Sequence, residues 1–219
     1  MKIKDKIKRQ VVVFDFDGTL TTCDTFGKFI CFALGRWRYY VGLLACLPIL
    51  AGYVLRIVPN YWAKELLFGH FFRGMRHEDF VQFGKAFADV AEPLMRIDML
   101  SCLHKHILDG ARVYVISASI EEWVHPIVDR YGDVIVLATK VEVNNGVLTG
   151  RFLCRNCYGQ EKVHRLFEIE PRREEYHLTA YGDSRGDNEI LLQADCGIWV
   201  KQVVNIPRQL SRDIQKITN

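Results

Sequence analysis

The chain has 219 residues, 49% of them hydrophobic and 25% charged, a balance that excludes a disordered chain and supports one sizeable core with room for an inserted subdomain. A net charge of +3 creates no global field for nucleic acid, although the opening nonapeptide MKIKDKIKR sets five basic side chains against one acid. Seven cysteines, an odd number with no secretory leader ahead of them, fit a reducing compartment better than a disulfide framework, so the expected location is the cytoplasm, including the inner face of a membrane.

A first strand is expected over residues 10–14, where β-branched residues run on as in a parallel strand covered on both faces. Residues 22–90 hold no clear strand, are rich in aromatics and are compatible with helix. The rhythm resumes with the helical pattern LSCLHKHILDG, stopped by Gly110, and a strand over 111–119. A helix over 121–131, a strand from Val134 and the hairpin KVEVNNGVLTGRF, with its Asn-Gly turn, come next. A helix over 160–169, a strand from His177, a short helix after Gly186, a strand from Cys196 and a polar C-terminal helix complete the order. This alternation predicts an α/β fold: a doubly wound, Rossmann-like, mostly parallel sheet with ligands at the carboxyl ends of its strands. Residues 1–21 and 91–219 would form the core, and 22–90 a helical cap inserted after the first strand. Cys154 and Cys157 make one C-x-x-C with no second pair, and read as buried thiols rather than a zinc or redox site.

The polar residues that follow the apolar strands carry the chemistry. Asp15, Asp17, Gly18 and Thr19 follow the first strand, Ser117 the second, Lys162 opens a helix, and YGDSRGDNE brings Asp183 and Asp187. Carboxylates gathered in one place repel unless a divalent cation neutralises them, and an all-oxygen donor set favours magnesium. With a lysine and a serine hydroxyl to hold an anion, the set describes phosphoryl transfer.

DFDGT, ISAS, the lysine of YGQEKV and GDSRGDNE resemble, in order and spacing, the four motifs of the haloacid dehalogenase superfamily. That resemblance implies that Asp15 is the nucleophile forming an aspartyl-phosphate and that Asp17 protonates the leaving alcohol and then activates water. It implies that Thr19 and Ser117, with their neighbours Gly18 and Ala118, hold the phosphate, while Lys162 steadies nucleophile and phosphoryl oxygens. It further implies that Asp183, Asp15 and the Asp17 carbonyl bind Mg2+, with Asp187 completing or bracing the acidic site. Asp17 points to a phosphatase, because a dehalogenase has no alkoxide to protonate. Asp24 stands where the phosphoserine-phosphatase-like branch places an acid facing substrate, and helix capping explains it equally. Arg73 and Arg76 are candidates to reach substrate from the cap; His104, His106 and His164 read as surface or packing residues.

The position of the cap also resembles the phosphoserine-phosphatase-like branch, whereas CDTFGKFICFAL, YYVGLLACLPILAGYVL and CYGQEKV are more similar to the bacterial phosphatidylglycerophosphatase C type. The expected partner is therefore a phosphorylated lipid head group, with a soluble metabolite such as phosphoserine as the alternative; a phosphotransferase or a binding module remains open, and no nucleic acid is expected. Residues 39–55 carry no charge, but as a helix they would reach only about 26 Å against ~30 Å of hydrocarbon. A single crossing would also put Asp15 and Ser117 on opposite sides of the membrane. A kinked interfacial pair, broken at Pro48, is compatible with Trp37, Tyr39, Tyr40, Tyr61 and Trp62 as aromatic belts and Arg36, Arg38, Arg56 and Lys64 meeting anionic headgroups, giving peripheral contact through 36–64. Apolar stripes packed on one another within the cap are the competing arrangement.

Overall fold

The computed structural model describes residues 8–201. Most of the basic opening segment and the polar C-terminal helix lie outside the described residues. Five strands form one parallel sheet: β1 (Arg9–Phe14), β2 (Arg112–Ile120), β3 (Val134–Thr139), β6 (Tyr176–Gly182) and β7 (Cys196–Trp199), in the order β3-β2-β1-β6-β7. The remaining two, β4 (Val141–Asn144) and β5 (Val147–Phe152), form an antiparallel hairpin. Its turn residues Asn145 and Gly146 both have positive φ, 49° and 76°, the backbone that an Asn-Gly hairpin turn requires.

The sheet order follows from burial on two faces. Side chains alternate along β1, so Val12 and Phe14 enter one apolar cluster and Val11 and Val13 the other. The second cluster is closed by α8 (Gln160–Ile169) and α9 (Asn188–Gln193), through Val163, Leu166 and Ile190. Into the first come α6 (Ile97–Leu108), α7 (Glu121–Val128) and the helical insertion. With both faces covered by apolar packing, polar groups gather at the strand ends. The chain leaves β1 for β2 on one side and later returns to β6 on the other, so the switch point of the fold falls at the carboxyl ends of β1 and β6.

The insertion contains α1 (Thr25–Leu34), α2 (Arg36–Ala45), α3 (Leu47–Val54), α4 (Asn60–Phe72) and α5 (His77–Ala91). An aromatic nucleus ties it to the rest: Phe29 stacks on Trp123 of α7 at 4.4 Å, and Phe68, Phe72, Phe80 and Phe87 pack around it. Gly84 of α5 lies so close to the Glu122 carbonyl that a Cβ would overlap it. Residues 74–77 add a third edge to the hairpin, with Gly74 N donating to Leu148 O and Leu148 N to Met75 O, both at 2.9 Å. Where α4 crosses β5, a Cβ on Gly69 would lie 2.8 Å from the Gly150 carbonyl oxygen.

The uncharged stretch folds as a bent pair, α2 and α3 meeting at 64°. The break falls at Cys46, and Pro48 sits in the first turn of α3 rather than interrupting a helix. Proline is tolerated there because a first-turn N–H has no helical partner to lose. Among the described residues no single helix is long and apolar enough to cross a membrane. Large apolar side chains of this region nevertheless face outward: Trp37 is 81% exposed, Val54 76% and Ile57 74%.

A buried carboxylate fastens the opposite end of the sheet. Glu170, 2% exposed, accepts from both terminal nitrogens of Arg9 and, at 2.6 Å, from the Tyr114 hydroxyl, joining the starts of β1 and β2 to the end of α8. Burial alone would raise the Glu170 carboxyl, yet the hydrogen bonds from Arg9 and Tyr114 hold it below the ordinary glutamate range. The stabilisation is therefore present above the ordinary glutamate pKa and is lost as pH falls through the lower folded value. Glu170→Gln is expected to lower stability at pH 7 by about 1–3 kcal/mol and to flatten the acid limb of the stability profile, as checked by urea unfolding at several pH values.

Candidate active site at the carboxyl end of the sheet

Strand register assembles the acidic cluster. Phe14 pairs with Val115 on one side and Tyr181 on the other, so Asp15, Ser117 and Asp183, one or two residues further on, emerge at the same edge. Asp15 N donates to Tyr181 O at 2.9 Å and locks that position. The chain then turns tightly over residues 16–20, with Gly18 at φ +83°; a Cβ there would overlap the Asp183 carboxylate, so only glycine lets the turn close on the acid.

Lys162, buried in the first turn of α8, places its ammonium between two carboxylates and donates to Asp15 Oδ1 and Asp187 Oδ1, each at 2.5 Å. Burial opposes the charge on Lys162, but attraction to Asp15 and Asp187 outweighs it and raises the amine above the ordinary lysine range. The other oxygen of Asp187 accepts from Asp183 N, Ser184 N and Ser184 Oγ at 2.8–3.2 Å. Asp187 is thus fully engaged as a brace. Thr19, wholly buried, donates to Asp183 Oδ1 at 3.1 Å; its hydroxyl fixes this acid and does not line the cavity.

Asp17, on the same turn as Asp15, is held by a separate set of donors. Oδ1 accepts from Thr25 N at 2.8 Å and Thr25 Oγ1 at 2.7 Å, where α1 begins, and Oδ2 accepts from Ser119 Oγ. Burial pushes its pKa up and the nearby Asp24 adds to the rise, against Lys64 and the bonds from Ser119 and Thr25. Burial likewise pushes Asp15 up to about 8, with Asp187 and Asp17 adding to the rise and Lys162 opposing it. Ser117 Oγ accepts from Ser119 N at 2.9 Å.

These groups floor a cavity of about 630 Å³ that Asp15, Asp17, Ser117, Ala118, Lys162 and Asp183 line from the sheet side. Leu50 and Tyr53 of α3 and Ala63, Lys64 and Leu67 of α4 line it from the insertion. Asp15, Asp183 and Asp187 each offer an oxygen within 4.8 Å of the others. Three carboxylates against the one ammonium that bridges two of them leave an excess of negative charge among hard oxygen donors, which fits a small divalent cation such as Mg2+.

The remaining candidates divide. Asp24 lines the cavity and also accepts from Phe26 N at 2.8 Å, so it caps α1 as well. Arg73 lies away from the cluster, in a separate pocket with Trp37 and His70, because it ends α4 at the face that packs on Gly150. Arg76 pairs with Glu78 on the surface. His106 packs on Phe14 and lies 2.9 Å from the Tyr181 hydroxyl, His104 faces the Tyr131 ring and His164 is exposed. Cys157 is a buried free thiol, and Cys154 accepts from Arg165. Sequence reasoning missed Thr25 and Ser119, the holders of Asp17; the second serine of ISAS was an available signal. Lys64, expected in a row of cations facing headgroups, instead turns inward and donates to the Ala118 carbonyl at 3.0 Å.

Residues 12–191 match the haloacid dehalogenase-like hydrolase family. The chain is 32% identical over 189 residues to protein CicA of Caulobacter vibrioides, covering 84% of this chain and 83% of that one. A Bordetella pertussis protein of unknown function shares the fold with a TM-score of 0.75 at 18% identity, covering 96% of both chains. A phosphoserine phosphatase solved as an analogue of its phospho-aspartyl intermediate has a TM-score of 0.59 at 17% identity, over 89% of this chain and 86% of that one.

Removing the cation from the cluster leaves buried carboxylates without their countercharge. Lys162→Met is expected to destabilise the metal-free protein by about 3–5 kcal/mol, measured as a lower urea midpoint at pH 7.

Proposed function

The chain belongs to the haloacid dehalogenase-like hydrolase family, and we propose that this hydrolase is a phosphatase acting on a phosphomonoester through an aspartyl-phosphate on Asp15. One observation carries the reading: two carboxylates of a single turn have opposite company. Asp15 sits against the Lys162 ammonium, as a nucleophile facing an anion requires, while Asp17 accepts no hydrogen bond from a lysine among the described residues and is held by Thr25 and Ser119 on the wall of the same cavity, where a proton donor to the leaving oxygen must stand.

In the proposed reaction a carboxylate oxygen of Asp15 attacks phosphorus, and the phosphorus–oxygen bond to the alcohol breaks as Asp17 delivers its proton to the leaving oxygen. Asp17, now ionised, takes a proton from water. That water attacks the phosphorus of the aspartyl-phosphate, releasing inorganic phosphate and restoring Asp15. Lys162 orients Asp15 and offsets charge on the phosphoryl oxygens. Because Ser117 Oγ already accepts the Ser119 N–H, its own proton is available to a phosphoryl oxygen. Gly18 permits the turn, and the backbone at Ala118, steadied by Lys64, borders the phosphoryl position. Asp15, Asp183 and the Asp17 carbonyl would hold Mg2+, braced by Asp187, and the bound cation would supply neutralisation of the transferring group.

For the substrate, a lipid-linked phosphate such as phosphatidylglycerophosphate is preferred. The bent apolar pair supports it, since Leu50 and Tyr53 of α3 line the cavity while neighbouring apolar side chains of α2 and α3 face outward. Those outward residues would rest on the membrane surface, between segments 36–45 and 53–62. The presence of both Asp24 and Lys64 on the cavity wall favours the second reading, a soluble zwitterion such as phosphoserine, whose amine and carboxylate they would meet.

Phosphate release with Mg2+ is to be measured on phosphatidylglycerophosphate in mixed micelles, on phosphoserine and on an aryl phosphate. Turnover fastest on the micellar lipid is expected, and turnover confined to phosphoserine would overturn the lipid assignment. Asp15→Asn should lower release by about a thousandfold or more on every substrate; retention of activity would remove Asp15 as nucleophile. EDTA should abolish turnover and Mg2+ restore it, with Asp183→Asn raising the Mg2+ concentration needed for half-maximal rate about tenfold or more.

A further inference from the structure

The insertion joins the core through two segments that pair with one another. Residues 20–22 lead into it and residues 94–96 return from it: Thr22 N donates to Leu94 O and Arg96 N to Leu20 O, both at 2.8 Å. Arg96 is thereby set beside the turn that carries Asp15 and Asp17, and it is only 6% exposed.

An arginine is seldom buried unless its donors are paired, and here the planar fork is used in two directions. Toward the surface, Nε and Nη2 donate to Asp98 Oδ1 and Oδ2 at 3.2 and 2.7 Å. Those bonds hold the exposed Asp98 carboxyl below the ordinary aspartate range. Toward the interior, Nη1 donates to Lys201 O at 3.0 Å and to Gly18 O at 3.4 Å. A rigid guanidinium gripped along one edge by a carboxylate has its remaining nitrogen aimed, and the aim is at the backbone of the Asp15–Asp17 turn.

Gly18 is also held on its other side. Its N–H donates to Thr21 Oγ1 at 3.2 Å, and Thr21, 1% exposed, donates in turn to Cys23 O at 2.7 Å. The Gly18 N–H and the Asp17 carbonyl belong to one planar trans peptide and point in opposite directions. Fixing that N–H on Thr21 and the next carbonyl on Arg96 therefore fixes the way the Asp17 carbonyl faces. A glycine at φ +83° has no Cβ to restrict rotation, so the restraint must come from its partners.

We propose that Arg96 and Thr21 are positioning residues of the candidate active site, clamping Gly18 from both sides so that the Asp17 carbonyl is presented to the cation. The inference rests on the reading of Asp15, Asp183 and the Asp17 carbonyl as cation ligands, and deepens it by naming what orients the ligand that is backbone. A carboxylate ligand is oriented by its rotamer and its own hydrogen bonds. A backbone ligand is oriented only through the peptide groups beside it, and both flanking groups of Gly18 are engaged by these two side chains.

The test uses the full chain with Mg2+ and no substrate. Because a ligand that binds only the folded state adds stability with the logarithm of its concentration over its dissociation constant, the rise of the urea midpoint with Mg2+ yields that constant without any turnover. For Arg96→Lys, which keeps the charge and loses the fork, and for Thr21→Val, which keeps the shape and loses the acceptor, the constant should rise about tenfold or more. Asp98→Asn should weaken Mg2+ in the same direction by a smaller factor. Glu170→Gln, at the far end of the sheet, should lower the metal-free midpoint and leave the constant unchanged, which separates positioning from lost stability. Should Arg96→Lys fail to fold, Thr21→Val and Asp98→Asn decide. Wild-type Mg2+ affinity in the folded variants, or an equal weakening in Glu170→Gln, would overturn the proposal while leaving the cation site in place. No stabilisation of the wild type by Mg2+, or undiminished stabilisation of Asp183→Asn, would remove the cation-site reading and this inference with it.

Discussion

The arrangement of this protein depends on one ammonium among buried carboxylates. Lys162 touches Asp15 and Asp187 at once, and without it the carboxyl ends of β1 and β6 would bring together buried carboxylates whose remaining hydrogen-bond donors among the described residues carry no full positive charge. Coulomb attraction at that range in a poorly solvated site outweighs the burial of the lysine itself. Asp187, held on its other oxygen by the backbone of residues 183 and 184, carries the constraint onward into the loop that presents Asp183. A single contact thereby fixes the floor of the cavity, the start of α8 and the turn before α9.

The sheet makes that gathering unavoidable. Every residue of β1 from Val11 to Phe14 enters one of two apolar clusters, which leaves no position in that stretch for a polar side chain. Charge collects at the strand ends, and the two ends treat it differently. At the amino end Glu170 is satisfied by Arg9 and Tyr114, a closed set that serves cohesion. At the carboxyl end the acids outnumber the lysine that bridges two of them, an open set with negative charge left over.

The insertion contributes walls rather than floor. Its aromatic nucleus, stacked on Trp123, and the glycine contacts at Gly69 and Gly84 hold α4 and α5 at fixed distances from the hairpin and α7. That placement turns Lys64 into the cavity and leaves Arg73 outside it. The bent pair α2 and α3 has one helix with residues in the cavity wall and a large share of its apolar side chains uncovered, so the cavity wall and the exposed apolar surface belong to one element.

Much of the floor was legible in the chain itself. Asp15 and Ser117 each follow an uninterrupted apolar run and Asp183 follows the strand YHLTAYG, and a strand that ends in polar residues declares where it leaves the core. The parallel order followed from alternation of helix and strand, and the hairpin from Asn145-Gly146. What escaped were contacts set by distant packing. Thr25 and Ser119 share Asp17 because the start of α1 and the end of β2 meet there; Thr19 turns to Asp183 rather than to the open space; Asn156 reaches the cavity wall from a loop without periodicity. The bend of the apolar segment also falls at Cys46 and not at Pro48, since a proline can begin a helix as readily as it can end one. By itself, the sequence determined the sheet, its polar strand ends and the chemical types gathered there, because two-faced burial and strand register are written in local hydrophobic pattern. Only the tertiary structure decided which residues of the insertion face the cavity and how large a substrate it admits, because helix-to-helix contacts such as Gly69 on Gly150 leave no periodic trace along the chain.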